Sequence, residues 1–384
     1  MLPAKLRLLK KLDRSFGPWL CRSVAPAVAA RSDGAGAHRW TAEPVANDGI
    51  ERILVIRPGG MGDAVLTFPM IRALREYYEH ATIDVLGEQR SVGVYRINDW
   101  VRNLYRYDTT PFAVSRTLRE LRQARYQIVV DTEQYHHLST LVANHLRPDF
   151  LCGFDTIGRG RFHTHRVRYR ESSYEVYLFL SLAAALIGKP QSFDPDRAWL
   201  AVDRKWSDWA AERLGESGGR RIAVIAPGAS TEHRIWPRER YARVARWFIE
   251  RDFYVVILGG SDTVDAAREI AADHGPDRVL DLAGRTSLPE SAGILQHATI
   301  YVSSDTGALH VAYGVGVPTV HMFGSGIMEK WAPPGSKYVV VNKGLPCSPC
   351  TRYGYTPPCP YGVACMDAIT VDDVTAAAED VLRR

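Results

Sequence analysis

The chain has 384 residues, 46% hydrophobic and 24% charged, with 48 basic against 43 acidic side chains and a formal net charge of +5. That length can carry two domains with separate cores, and the composition excludes disorder, collagen and coiled coil as whole-chain descriptions. The mixed charge permits weak attraction to anions without implying nucleic acid, for which no recognition motif or aromatic–basic repeat is present. The longest apolar run, Tyr177 to Gly188, is interrupted by Ser181 and falls short of the roughly 18 apolar residues of a membrane span. Val24 to Ala30 is short and holds Pro26, unlike a secretory leader. Four of the six cysteines cluster near the C-terminus while Cys21 and Cys152 stand alone. This is not a secreted disulfide scaffold, and the expected compartment is the cytoplasm.

Residues 1–48 read as an appendage. Leu6, Leu9, Leu12, Phe16 and Leu20 recur three or four apart among Lys and Arg, the pattern of a basic amphipathic helix. Gly17 and Pro18 interrupt it, and the Ala-, Gly- and Asp-rich stretch 29–47 follows as linker. Such a helix either docks on a membrane surface or partner, or packs on its own domain. From Gly49 strands alternate with helices. Strands are expected at 52–57, 82–87, 127–131 and 150–154, and helices at 63–79, 114–125 and 174–187. A helix at 204–216 and Ser217-Gly218-Gly219 suggest a domain boundary at 217/218. A second series follows, with strands at 221–226, 253–258, 299–303 and 318–323 and helices at 237–250, 263–274, 288–297 and 306–315. The expected fold is α/β, with two Rossmann-like, doubly wound parallel-sheet domains (49–217 and 218–384) facing a cleft.

The turns between these elements carry the chemistry. Pro58-Gly59-Gly60-Met61-Gly62-Asp63 follows the first strand. Its glycines let another molecule approach the backbone, and a carboxylate at a helix start is held ionised, as a general base requires. The plain alternative is that Asp63 only caps its helix. Pro227-Gly228-Ala229-Ser230-Thr231, with Arg234 shortly after, offers amides, two hydroxyls and a cation to phosphate oxygens, or is a solvated loop. Gly259-Gly260-Ser261-Asp262 permits close ligand approach, with Asp262 or Ser261 on a ribose hydroxyl, or Asp262 as a simple helix cap. Asp305-Thr306-Gly307, with His310 one turn on, places unsatisfied helix N–H groups where a diphosphate fits without a metal. Cys347, Cys350, Cys359 and Cys365 have the spacing C-x2-C-x8-C-x5-C. Four thiolates so spaced suit a closed structural zinc or iron site in a reducing compartment; two disulfides or free thiols are the alternatives.

In this order, Ile53 to Asp63, Pro227-Gly228-Ala229-Ser230 with Arg234-Ile235-Trp236-Pro237, Leu282 to Leu288, and Asp305-Thr306-Gly307 with His310, continuing through Gly316-Val317-Pro318-Thr319-Val320 and Phe323-Gly324, resemble the ADP-heptose:lipopolysaccharide heptosyltransferases of glycosyltransferase family 9. The resemblance spans about Arg52 to Val374. It implies a GT-B fold and inverting, metal-independent transfer of heptose from ADP-heptose, most readily to the lipopolysaccharide inner core, with no catalytic cofactor. Asp63 would be the base, beside the acceptor-side turn Gly59, Gly60, Met61 and Gly62. Ser230, Thr231, Arg234, Gly260, Asp262, Asp305, Thr306, Gly307 and His310 would hold the donor. The family usually has Lys where Arg234 stands, which keeps the charge and changes the geometry. The cysteine cluster resembles one that binds iron in members that glycosylate autotransporter proteins, so a protein acceptor is the alternative, beside a secondary-metabolite acceptor and a catalytically silent sugar-nucleotide binder. Expected partners are ADP-heptose and a glycolipid or protein acceptor, with peripheral inner-membrane contact and an oligomer open and no nucleic acid. Loop 88–116 matches nothing assignable, and Arg90, Gln134, His136 and His137 are acceptor-side candidates or plain surface residues.

Overall fold

A computed structural model describes residues 12–13, 15–19, 21–23, 43–107, 111–229, 231–272, 274–352 and 355–384. It divides into two units, Met1–Phe193 and Asp194–Arg384. In the first, β1 (Arg52–Arg57), α1 (Met61–Val65), α2 (Phe68–Tyr77), β2 (Thr82–Gly87), β3 (Leu104–Arg106), α3 (Pro111–Gln123), β4 (Ile128–Asp131), α4 (Leu138–Leu146), β5 (Phe150–Phe154), β6 (His165–Val167) and α5 (Glu175–Ile187) follow one another. The second holds α6 (Arg204–Arg213), β7 (Ile222–Ala226), α7 (Arg238–Ile249), β8 (Tyr254–Ile257), α8 (Val264–Ala271), β9 (Val279–Asp281), α9 (Leu288–Gln296), β10 (Ile300–Ser304), α10 (Gly307–Val315), β11 (Thr319–Met322), α11 (Met328–Trp331), β12 (Tyr338–Val341), α12 (Ala364–Asp367) and α13 (Val371–Arg383).

Each unit is built on a six-stranded sheet, ordered β3-β2-β1-β4-β5-β6 in one and β12-β11-β10-β7-β8-β9 in the other. All strand pairs within the two sheets are parallel. The central strands read as near-continuous Val, Ile and Leu because helices cover both faces; Ile53, Leu54, Val55 and Ile56 are fully buried, as are Ala223, Val224 and Ile225. Both orders are doubly wound, and the chain reverses direction across the sheet between β1 and β4 and between β7 and β10. The crevice beyond the carboxyl ends of those strands is where such sheets bind ligands.

The expected strands appear within a residue or two, and the differences have local causes. The helix expected at 63–79 is two helices: α1 begins earlier, at Met61, and the chain breaks at Leu66-Thr67, where Pro69 needs a first-turn position in α2. The units divide at 193/194 rather than at the glycines of 217–219. Helix α6 packs along α9 so closely that a Cβ on Gly293 would lie 2.2 Å from the carbonyl of Trp206, which ties 204–213 to the second unit. The short edge strands β3, β6 and β9 have three residues each and were not expected, nor were α4, β12 and α13. No described helix is long and apolar enough to cross a membrane.

Candidate active site

In the first unit the turn after β1 and the segment after β4 lie at the strand-order reversal. Gly59 takes φ 133°, which only glycine adopts without strain. A Cβ there would also lie 3.0 Å from the Arg57 guanidinium. Helix α1 starts at Met61, so Asp63 occupies its third position instead of opening the helix. Its Oδ2 reaches back to accept the Gly60 N–H at 3.1 Å, and its Oδ1 lies 3.1 Å from Nη2 of Arg57. The carboxylate is 22% exposed and the guanidinium 3%, so the acid keeps access to solvent while its partner does not. Arg57 also donates to the Thr132 carbonyl at 2.9 Å and to Gln134 Oε1 at 3.5 Å, and its guanidinium lies 5.4 Å from the centre of the Phe179 ring. Burial opposes the Arg57 charge, but Asp63, Glu133 and Glu175 outweigh burial and raise its pKa. Gln134, allowed by the sequence as a surface residue, is buried and donates to Glu175 at 3.1 Å. Glu175 also accepts from Tyr169 at 2.9 Å. Arg90 pairs with Glu88 at 2.7 Å.

In the second unit the loops after β7 and β10 meet. Arg234 closes a 3-10 turn, Glu232–Arg234, and its Nη1 lies 3.1 Å from Asp305 Oδ2. The contact is ionic rather than a directed hydrogen bond, because Oδ2 has no hydrogen-bond partner among the described residues. Two motifs far apart in the sequence are thereby joined. The Arg234 turn is anchored by Trp236, fully buried, which donates to the Ile369 carbonyl at 3.0 Å and stacks edge-on against Tyr241. Thr306 is the N-cap of α10 and its hydroxyl accepts from the Leu309 N–H at 3.3 Å. The half-buried Gly307 and Ala308 open the helix with first-turn N–H groups, an anion-binding arrangement. His310 is buried and packs against Tyr313 and Trp331. Among the described residues, the side chains of Thr231, Arg234 and Ser325 also leave a buried polar atom (Oγ1, Nε and Oγ) without a hydrogen-bond partner. Such atoms are costly unless a ligand or water meets them. Ser230 lies outside the described residues.

Gly260 and Asp262 follow β8, one strand from the reversal, and both are exposed. Asp262 caps no helix: Gly260 precedes the 3-10 turn Ser261–Thr263, and Thr263 stands at the N-cap of α8.

Cys347, Cys350, Cys359 and Cys365 are free thiols. Burial raises the Cys350 pKa, with Cys359 and Cys347 adding to it; burial likewise raises Cys365, which feels the other three thiols. Among the described residues no group of three or more His, Cys, Asp or Glu is placed to hold a metal ion, so the structure gives the structural metal no support. The segment packs on the loop after β11. Ser348 donates to the Gly324 carbonyl, Thr351 N–H donates to the Ser325 carbonyl at 3.0 Å, and a Cβ on Gly324 would lie 2.8 Å from Cys365 Sγ. A Cβ on the next glycine, Gly326, would lie 2.5 Å from Asp305 Oδ2.

The sequence profile described as glycosyltransferase family 9 (heptosyltransferase) matches residues 114–359. The chain belongs to that family. This family 9 glycosyltransferase is 25% identical over 292 residues to lipopolysaccharide heptosyltransferase 3 of Escherichia coli, covering 71% of this chain and 83% of that one. Its fold is similar to that of E. coli ADP-heptose lipopolysaccharide heptosyltransferase II, with a TM-score of 0.69 at 21% identity, covering 86% of this chain and 98% of the other. A more distant likeness, TM-score 0.52 at 13% identity over 89% and 78% of the two chains, is to TibC, an iron-containing dodecameric glycosyltransferase from enterotoxigenic E. coli. At these identities the solved structures speak to fold, and the two doubly wound units of the family 9 enzyme are those of the GT-B class. The ion pairs Arg57–Asp63 and Arg234–Asp305, each with one member almost wholly buried, could not be read from spacing, since each forms only when a turn or a sheet brings its members together.

Proposed function

We propose that the enzyme transfers heptose from ADP-heptose to a hydroxyl of the lipopolysaccharide inner core, with inversion at the anomeric carbon. Asp63 takes the proton of the acceptor hydroxyl, and the oxygen attacks the anomeric carbon. The bond from that carbon to the β-phosphate oxygen breaks, and ADP leaves with the electron pair. The observation that carries this reading is the placement of one solvent-accessible carboxylate, held by Arg57 and Gly60 N–H, at the strand-order reversal of the first unit. It is supported by family membership and by relatives named as lipopolysaccharide heptosyltransferases. In the second unit the first-turn N–H groups of α10, with Thr306, Gly307 and the cation of Arg234, take the diphosphate. Asp305 would repel a phosphate, so its task is to hold Arg234 in place. Ser230, Thr231 and His310 complete the donor contacts, and exposed Gly260 and Asp262 reach the nucleoside. The reaction runs in the cytoplasm without a catalytic cofactor. The four thiols stand outside the reaction, and their spacing supports one structural iron or zinc ion per chain.

The test supplies ADP-heptose with heptose-deficient inner-core lipopolysaccharide and follows ADP release together with the mass of the acceptor. A heptose added to the acceptor by the wild type, and lost in Asp63→Asn, is expected. Turnover of ADP-heptose with no heptose on the lipopolysaccharide would refute the acceptor, and full activity of Asp63→Asn would refute the base.

A further inference from the structure

The N-terminal helix is docked on the first unit the opposite way round from an ordinary surface helix. Its described residues 12–13, 15–19 and 21–23 are helical. The face at i, i+4 and i+8 is Asp13, Gly17 and Cys21, and it is this small, polar face that meets the protein. The Asp13 carboxylate accepts the N–H of His137 at 2.9 Å and of Leu138 at 2.8 Å. It thereby caps α4, whose own N-cap residue, His137, makes no side-chain cap. The rings of His136 and His137 lie 3.4 and 3.7 Å from the same carboxylate. Burial opposes the Asp13 charge, but its contacts with His136 and His137 prevail and hold its pKa below the ordinary carboxylate range. Gly17 allows the close approach, since a Cβ there would lie 2.7 Å from His137 Nδ1. Cys21 is 4% exposed and joins the core cluster with Leu54, Ile56 and Phe162.

That orientation turns the apolar stripe outward. Leu12, Phe16 and Trp19, at i, i+4 and i+7, are 43%, 56% and 66% exposed. An amphipathic helix normally buries these residues and shows its polar face to water. Here the polar residue is inside and the aromatics are outside, so the stripe is kept for something other than this unit's core. The sequence of this segment is one-sided in charge. Residues 1–22 contain six basic residues, Lys5, Arg7, Lys10, Lys11, Arg14 and Arg22, and a single acid, Asp13, whose charge is taken up by α4. Aromatic and leucine side chains in a row, within a strongly basic segment, match a surface that is negative outside and apolar beneath.

We infer that this helix docks the enzyme on an anionic phospholipid bilayer, with Leu12, Phe16 and Trp19 entering the headgroup boundary and the basic residues meeting lipid phosphates. The inference rests on the placement of the N-terminal segment and stands independently of the heptosyltransfer reading. It is tested on the full chain by co-sedimentation with vesicles of equal parts phosphatidylglycerol and phosphatidylcholine, and with vesicles of phosphatidylcholine alone. The wild type is expected on the anionic vesicles, with binding that falls at high salt. Phe16→Ser/Trp19→Ser should weaken it about tenfold or more, Leu12→Ser less, and Arg22→Glu should weaken it without removing the preference for anionic lipid. None of these residues belongs to the catalytic machinery, so ADP release in solution should hold at the wild-type rate. Because Phe16 and Trp19 are exposed, unfolding curves of the double variant should match the wild type. Wild-type protein that stays in the supernatant with anionic vesicles overturns the inference, as does vesicle binding of the double variant equal to the wild type. A double variant that turns an oligomer into a smaller species, with no vesicle binding by either form, assigns the stripe to a second copy and also overturns it.

Discussion

Replacing Arg57 by Met tests how the first unit would keep Asp63, the proposed base, ionised. The pair stands 3.1 Å apart with one partner almost wholly buried. At an effective dielectric of about 20 the Coulomb attraction at that distance is on the order of 5 kcal/mol. Much of it offsets the cost of burying the guanidinium, and Gly60 N–H remains on Asp63 when Arg57 is gone. A net loss of about 1.5–3 kcal/mol for the ionised carboxylate follows, which at about 1.4 kcal/mol per pH unit raises the acid limb of kcat/KM by about one to two units. The sign is fixed: removing a cation makes the carboxylate bind its proton more readily, so activity is lost from the acid side and survives near pH 8. Met retains the stem beside Phe179, so the fold should persist at a Tm within several degrees of wild type. The assay is the initial rate of ADP release from pH 4.5 to 9 for wild type, Arg57→Met and Asp63→Asn, these pH bounds being chosen roughly to span ordinary carboxylate titration. The residual activity of Asp63→Asn should lack the limb altogether. An acid limb of Arg57→Met that superimposes on the wild type would refute the argument that this ion pair sets the base.

Asp63→Asn is expected to lower kcat by about 10²–10⁴-fold while ADP affinity, read by calorimetry, holds; a full rate contradicts it. Arg234→Met should weaken ADP binding and also destabilise the second unit by about 3 kcal/mol, because Asp305, 4% exposed, is left as a buried charge without its cation; unaltered affinity and Tm together would exclude both effects. Burial, aided by the His310 charge, pushes His321 down to about 3. The unfolded chain therefore binds a proton at this residue below about pH 6.5 that the folded chain refuses, and stability falls as pH drops from about 6.5 toward 3, by about 2 kcal/mol at pH 5 from this residue. His321→Gln should flatten that part of the urea-midpoint profile, and an unchanged slope would count against it. For the thiols, metal analysis of protein purified under reducing conditions should return close to one iron or zinc per chain, and none leaves them as thiols only.

Much of the scaffold was legible because β1, β2, β4, β7 and β10 are apolar runs of strand length with helices between them. The edge strands escaped notice because three residues such as Leu104–Arg106 or His165–Val167 carry no period. Pro69 signals the break inside 63–79, since proline fits a helix's first turn and not its interior. At the site, the turns after β1, β7 and β10 could be read from their glycines, hydroxyls and acids, and they lie at the two strand-order reversals, with the turn of Gly260 and Asp262 one strand away. What could not be read is which charges face each other: Arg57 with Asp63 depends on the path of a turn, Arg234 with Asp305 on two adjacent strands, and Asp13 with α4 on a docking across more than a hundred residues. Gln134 illustrates the same limit, since its amide lies buried only because Glu175 and Arg57 converge on it.

The two grips on the loop after β11 have a mechanical implication. Ser348 and Thr351 hold consecutive peptides of that loop, and the next residue, Gly326, has no atom to spare between itself and the Asp305 carboxylate. The thiol-bearing segment therefore acts as a buttress for the acid that steadies Arg234. Loosening it by proteolysis at an exposed position such as Tyr355 or Tyr361 would let the acid drift, and nucleotide affinity would record damage done to a segment that need never touch the nucleotide.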